Sequence, residues 1–427
     1  MTQKFNPARF DCFSIRRHPH RDFIQQVLAS TFDSVRPYYV VKTHLQKHDI
    51  PAAKRLFAFG LGKAALAMTH AIADEISLTD SLIVTKHASQ PNFQPAAVLL
   101  GGHPIPNRLS LQAGVEAKKF VSRLKKDDLL ICLISGGGSA LLTAPTIPLD
   151  ELQRLTAALL KSGASIDEIN TIRRHLDELK GGGLIQLANG AKIISLILSD
   201  VVGDSLEAIA SGITAPDSTT KEDAMQILSK YKLGNKIYAW KETLKADNPL
   251  FERVENRIIA GNSTALDFAR SQISKIWGES QVKIINNRLQ GEASEAGVEI
   301  AKRFKTALQT MPRPFCLLAG GEATVTISGE GKGGRNQELV LAAVDELSGL
   351  ENVMLISIAS DGEDGPTDAA GAVATGETAA RAEALGLAAA DYKFRNDAYH
   401  FFYPLGDLIK TNPTGTNVND FVFCFAF

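Results

Sequence analysis

Short, continuously apolar runs alternate with longer stretches of helical period along nearly the whole chain. The runs at residues 55–59, 82–85, 129–134, 193–198, 257–260, 315–319 and 354–359 have the length of strands, and several have the continuity of strands covered on both faces. Between them, residues 61–76, 111–124, 292–308 and 337–347 carry apolar positions at helical spacing, and a further helix is expected over about 22–47. This alternation predicts an α/β protein with mainly parallel sheets joined by right-handed crossovers. No short-period repeat or low-complexity tract interrupts it.

Length changes the picture from one domain to two, because single cores stop growing near roughly 250–300 residues and the chain has 427. The polar stretch 230–255, with isolated aromatics Tyr231, Tyr238 and Trp240 and no clear strand, is where the division is expected. That gives an N-terminal domain over 1–250 and a C-terminal one over 251–427, with the first helix free to pack on either. A net charge of -1 argues against a nucleic-acid or membrane surface, which needs a basic excess. Cys12, Cys132, Cys316 and Cys424 lie far apart without CxxC spacing and read as buried thiols of a reducing compartment. No apolar run approaches the roughly 18 residues of a membrane span, and the basic start lacks the apolar core of a secretion signal, so cytoplasm is expected.

Chemistry is concentrated where strands end. Residues 55–59 lead into Gly60-Leu61-Gly62-Lys63, and 129–134 into Ser135-Gly136-Gly137-Gly138-Ser139. Residues 193–198 lead into Ser199-Asp200, 315–319 into Gly320-Gly321-Glu322, and 354–359 into Ser360-Asp361-Gly362. Open α/β sheets bind ligands at these carboxyl ends. Three glycines between two serines exceed what a tight turn needs; Ser135, Gly136, Gly137, Gly138 and Ser139 form a candidate phosphate loop whose backbone N–H groups can approach anionic oxygens. It is not a P-loop, since no GK[ST] follows.

Gly60–Ala65 fits the degenerate GxGxxA dinucleotide fingerprint, yet the next strand candidate ends in Lys86-His87 rather than in the acid that would hold a ribose. The same residues can be read through Lys63, a cation at a helix start, where the dipole disfavours it unless an anion lies close. Asp200 and Asp204 stand four apart after a strand and suit a Mg²⁺ site, or one of them a base; Asp204 also fits a helix cap. Arg335, in a basic glycine-rich loop entering a helix, offers a forked contact to a phosphoryl group or carboxylate. Asp361 adds a carboxylate from the second domain. His103-Pro104 has no histidine partner at ligand spacing, and Arg173 and Arg174 face either an anion or water.

The ordered set GLGKAA (60–65), GGHPIPN (101–107), SGGGSALL (135–142), INTIRRHLDELKGGG (169–183), LSDVVGD (198–204), IASGITAPD (209–217), AGNSTA (260–265), AGGEATV (319–325), GGRNQELVLA (333–342), ASDGEDGPTDAAGA (359–372) and TGTNVNDF (414–421) resembles the glycerate 2-kinases of the class with a C-terminal MOFRL domain. The match runs in order from about residue 20 to the end. It implies ATP-dependent phosphorylation of D-glycerate to 2-phosphoglycerate with Mg²⁺, in a cleft between a Rossmann-like N-terminal domain and a smaller, also Rossmann-like, C-terminal one. Lys63 and Arg335 would face that cleft as catalytic residues, with Asp200 and Asp361 assisting. Residues Ser135–Ser139 and Asn262 would bind nucleotide phosphates; Lys63, Arg335 and Asn336 would bind substrate; Asp200 and Asp204 would hold metal. The partners expected are small molecules, with no nucleic acid and no membrane, and the chain is expected as a monomer or homodimer. Two rivals remain on the residues: an NAD(P)H-dependent hydroxypyruvate reductase resting on the GxGxxA match, and a non-catalytic sensor of a phosphorylated metabolite, which would not need so many carboxylates.

Overall fold

The structure is a computed structural model and describes residues 4–87, 90–233 and 238–427. It divides into two compact units, one of Pro37–Ile259 and one of the described residues up to Arg36 together with Ala260–Phe427. Within the stretch 230–255, residues 234–237 lie outside the described residues, as do residues 1–3 at the start of the expected first domain.

The first sheet contains β1 (Leu56–Leu61), β2 (Asp80–Thr85), β3 (Ala97–Leu100), β4 (Leu129–Ile134), β5 (Lys192–Leu198) and β6 (Val254–Ala260), in the order β3-β2-β1-β4-β5-β6. β1 pairs in parallel with β2 and β4, and β4 with β5. All six residues of β4 are buried, which is why its sequence is apolar without alternation. The order is doubly wound: sheet growth reverses between β1 and β4, leaving a crevice at their carboxyl ends. Phe57, Phe59, Cys132 and Ile134 pack with Leu141 into one core beneath that crevice.

The second sheet contains β7 (Val282–Leu289), β8 (Phe315–Gly321), β9 (Val353–Ala359), β10 (Gly371–Thr375), β11 (Leu408–Ile409) and β12 (Asp420–Ala426), in the order β11-β10-β9-β12-β8-β7. The α/β class is as expected, but parallel pairing is not carried through this sheet. β7 and β8 are parallel, whereas β12 runs antiparallel between β8 and β9, and β10 is antiparallel to β9 and β11. The reason is topological: β12, the last strand, inserts between two strands that run the same way. All four cysteines are free and buried.

The helix expected over 22–47 is two helices, Arg21–Asp33 and Pro37–Lys47. Pro37 opens the second, where its missing N–H costs nothing, and it disfavours helical backbone at the residue before it. The first belongs to the C-terminal unit, where Phe23 stacks on Trp277 of the helix Asn262–Trp277 at 4.7 Å. Among the described residues, no helix is long and apolar enough to cross a membrane.

Candidate active site

At the crevice of the first sheet two loops are joined backbone to backbone. Ser135 N–H donates to Leu61 O (2.9 Å), Lys63 N–H donates to Gly136 O (2.9 Å), and Ser135 Oγ accepts from Ala64 N–H (3.0 Å). Gly62 has φ +125, and a Cβ there would lie 2.3 Å from Ser135 O and Oγ, so this approach requires glycine. With these bonds made, the amides of Gly136, Gly137 and Gly138 donate to no protein acceptor among the described residues. A row of free N–H groups at a strand-to-helix turn is a cradle for an anion.

Three ionisable side chains share this place. A Cβ on Gly136 would fall 2.0 Å from Asp200 Oδ2, so the carboxylate lies directly against the loop. Burial raises the Asp200 proton affinity and the Lys63 ammonium partly offsets it. His103 is pushed down to about 4 by burial and by Lys63 and Lys86, so its ring is neutral near pH 7. No hydrogen bond or ion pair of the Lys63 ammonium is present among the described residues, and the side chain is exposed. Ser139 Oγ accepts from Ser211 Oγ (2.8 Å), and Ser211 follows Ala210, both in left-handed backbone (φ 56 and 50).

Among the described residues no group of three or more His, Cys, Asp or Glu is placed to hold a metal alone. One carboxylate beside free amides nevertheless fits Mg²⁺, which takes one or two protein carboxylates and completes its shell with phosphate oxygens and water. Asp200 has that position. Asp204 sits in a turn at φ 58 with its amide on Val201 O (3.0 Å), and no described contact brings its carboxylate to Asp200.

The second cluster lies in the C-terminal unit, where β8 and β9 end and β12 begins. Arg335, first residue of the helix Arg335–Leu347, grips Asp420 with Nε and Nη2 (2.5 and 2.9 Å) and meets Glu322 through Nη1 (3.1 Å). Burial works against the guanidinium charge, but Asp420 and Glu322 outweigh it and keep Arg335 protonated. Burial raises Asp420 in turn, with Arg335 opposing and the nearby Asp361 adding to the rise. Asp361 Oδ1 accepts from Glu363 N–H (3.1 Å). Asn262 donates through Nδ2 to Val418 O and Asp420 O (2.9 Å each), while its buried Oδ1 has no partner and faces Gly320.

The expected substrate role of Asn336 meets a physical obstacle. The residue is buried, its Nδ2 donates to Asp364 Oδ1 (3.3 Å), and its Oδ1 accepts from Ser357 Oγ (2.6 Å), leaving it no free polar atom for a ligand. Asp364 also accepts from the backbone of Asn336 (3.0 Å) and Gln337 (2.9 Å), and so caps that helix. Sequence reasoning assigned no role to Asp364, Asp420 or Ser211. Asp364 lies in the same acidic run as Asp361 and could have been weighed with it; nothing in the sequence links Asp420 to Arg335 across 85 positions.

Each sheet thus offers a polar cluster at its strand ends, the place where open α/β enzymes bind small anionic ligands. Comparison with known proteins narrows this class. A family model described as a domain of unknown function, DUF4147, matches residues 23–244, and the MOFRL family model matches 315–420. The chain is 38% identical over 405 residues to a D-glycerate 2-kinase of Thermotoga maritima, covering 93% of this chain and 96% of that one. It superposes on the crystal structure of a glycerate kinase from Thermotoga maritima with TM-score 0.86 at 37% identity, covering 94% and 98% of the two chains. A protein of Agrobacterium vitis with the provisional name hydroxypyruvate reductase is 35% identical over 418 residues, covering 93% of each. The chain belongs to the glycerate 2-kinase family with a C-terminal MOFRL domain, and is a kinase.

Proposed function

We propose that the protein transfers the γ-phosphoryl group of ATP to the 2-hydroxyl of D-glycerate, releasing ADP and 2-phosphoglycerate. The observation that carries this reading is the loop of free amides at Gly136–Gly138 with the Lys63 ammonium and the Asp200 carboxylate beside it. Phosphoryl transfer needs little covalent chemistry from a protein and much placed charge, which is what this loop offers.

The amides of Gly136, Gly137 and Gly138, with the Ser139 hydroxyl, hold phosphate oxygens. Lys63 stabilises the charge that grows on the transferred group. Asp200 has its proton affinity raised by burial and so accepts the hydroxyl proton as the new O–P bond forms. Asp200 is also the carboxylate that would hold Mg²⁺, which when bound would neutralise phosphate charge. In the C-terminal unit, Asn262 Oδ1 is a buried acceptor without a partner among the described residues.

Purified protein with D-glycerate, ATP and Mg²⁺ is expected to yield 2-phosphoglycerate, resolved from the 3-isomer by chromatography or ³¹P NMR. A parallel sample with hydroxypyruvate and NADH or NADPH tests the reductase reading. Cofactor oxidation there, without phosphoglycerate in the first sample, would replace the kinase with a reductase centred on residues 60–65.

A further inference from the structure

The paired arginines of the helix Ile166–His175 have opposite fates. Arg174 has a counter-ion, with Nε 2.9 Å from Asp217 Oδ2 though not in hydrogen-bond geometry, and Nη2 donates to the hydroxyls of Thr171 and Thr219 (3.3 Å each). Arg173 is half-buried, and among the described residues it makes no hydrogen bond and no ion pair. Burial alone moves its proton affinity, downward, with no acid to oppose it. A desolvated guanidinium without a counter-ion is costly, and such groups persist where a ligand supplies the anion.

Its surroundings add positive charge. Lys180 is 2% exposed, and among the described residues its acidic partner is Asp177 at 3.3 Å. Asp177 is already heavily used, accepting from Thr143 Oγ1 (2.6 Å), Ala144 N–H (2.9 Å) and Leu179 N–H (2.9 Å). Arg173 is close enough to Lys180 to oppose its protonation. Lys241 also feels Asp177, together with Glu178, so the Asp177 carboxylate is shared between cations. This group is also tethered to the phosphate loop from two sides. Thr143 and Ala144 lie just beyond the short helix Gly138–Leu141, and Gly181 N–H donates to Ser211 O (3.0 Å), whose hydroxyl bonds Ser139.

We propose that Arg173 binds the carboxylate of the phosphoryl acceptor, with Lys180 reinforcing the positive field behind it. This rests on the kinase reading above and names the residue that makes the acceptor an acid rather than a plain alcohol. A guanidinium matches a carboxylate with two parallel N–H···O bonds. Arg335 is less suited, since both of its edges already meet Asp420 and Glu322.

The test compares D-glycerate with D-glyceramide, in which an amide replaces the carboxylate, on wild type, R173Q, R173K and the neighbouring control R174Q. For D-glycerate, R173Q is expected to raise KM by about 30- to 100-fold, and R173K by about tenfold because charge remains without the fork. For glyceramide the KM of R173Q should stay within about twofold of wild type, which a merely structural role would not produce. R174Q should lower thermal stability without changing the preference for glycerate over glyceramide. D-Glycerate added without ATP should raise the Tm of wild type and not that of R173Q. Equal losses on both acceptors, or an unchanged glycerate KM in R173Q, or the same glycerate-induced Tm rise in R173Q as in wild type, would overturn the assignment. If wild type phosphorylates neither acceptor but the Tm contrast persists, the kinase reading falls and the carboxylate subsite stands. If glycerate shifts neither Tm, the subsite falls.

Discussion

Lys63 and Arg335 both sit at helix starts, where the dipole disfavours a cation, and the two units resolve that conflict in opposite ways. In the C-terminal unit, Asp420 and Glu322 neutralise Arg335, and Asp364 takes the first free amides of its helix. That helix end is complete without a ligand. In the N-terminal unit, the Lys63 ammonium has no described partner, the Gly136–Gly138 amides are free, and Asp200 is the carboxylate that lies against them. A cation with its partners built in is part of the fold; one without them is reserved for what binds.

The contrast breaks first at Lys63. Lys63→Met is expected to lower kcat/KM by about 10²–10³-fold, the usual cost of one electrostatic stabiliser of a transition state. Because the side chain is exposed and unpaired, chemical denaturation should find stability within about 0.5 kcal/mol of wild type. Arg335→Gln should do the reverse in kind, lowering stability by about 3 kcal/mol because Asp420, 3% exposed, is left without its counter-ion. If Arg335→Gln lost activity at unchanged stability, the two cations would be equivalent and the contrast wrong.

Acid should sharpen the comparison, since Asp364 and Glu338 in one unit and Asp177 and Asp217 in the other are shifted in opposite senses. In the C-terminal unit burial lifts Asp364 to about 6 and Glu338 to about 7. Their folded values exceed the unfolded ones near 4, so the folded state holds their protons over a range where the unfolded chain has lost them. Stability from these groups is full below about pH 4 and falls as pH rises through 6–7, by on the order of 2 kcal/mol for Asp364. In the N-terminal unit burial opposes ionisation of Asp177 and Asp217, but Lys180 and Arg174 with local hydrogen bonds prevail and hold both low. Their contribution is present above about pH 4 and is lost as pH falls below it. Hydrogen exchange corrected for intrinsic rates should show the helix Arg335–Leu347 better protected at pH 5 than at pH 7.5. The helix Ile166–His175 should lose protection only below about pH 4. The same direction of change in both would refute the contrast.

Sequence reasoning reached the first of these regions further than the second, for a physical reason. Parallel strands buried on both faces are continuous apolar runs, and their ligand groups follow them directly in the chain, so Lys63, Ser135 and Asp200 stood out. In the C-terminal sheet the partners come from an antiparallel last strand. Asp420 and Arg335 meet only because β12 inserts between β8 and β9, a pairing that no local pattern encodes. Asn336 looked like a site residue beside Arg335, but on a helix the next position turns about 100° away, and here it faces the core. Arg173 and Arg174 show the same limit: adjacent in sequence, they point to different surroundings, and only tertiary structure separates the engaged one from the unengaged.

The smallest expected effect concerns what keeps the N-terminal loop ready. Ala210 has φ 50 and ψ 28, and Ser211 and Gly212 follow with φ 56 and 64, so two non-glycine residues are held left-handed. Each costs on the order of 1 kcal/mol and persists only if its surroundings impose it. Here the turn carries the Ser211 hydroxyl to Ser139 at 2.8 Å, and the Ala210 methyl lies where a Cβ on Gly138 would clash, at 2.8 Å. Ala210→Gly relieves the strain while giving the unfolded chain more freedom, so the net gain in stability should be about 0.5 kcal/mol. Loss of the methyl lets the turn and the loop move apart, and the phosphorylation rate should fall severalfold, mainly in kcat. A gain in stability with full activity would mean that the left-handed turn plays no part in holding Ser139 in place. A loss of stability would mean that the methyl packs more favourably than the backbone is strained.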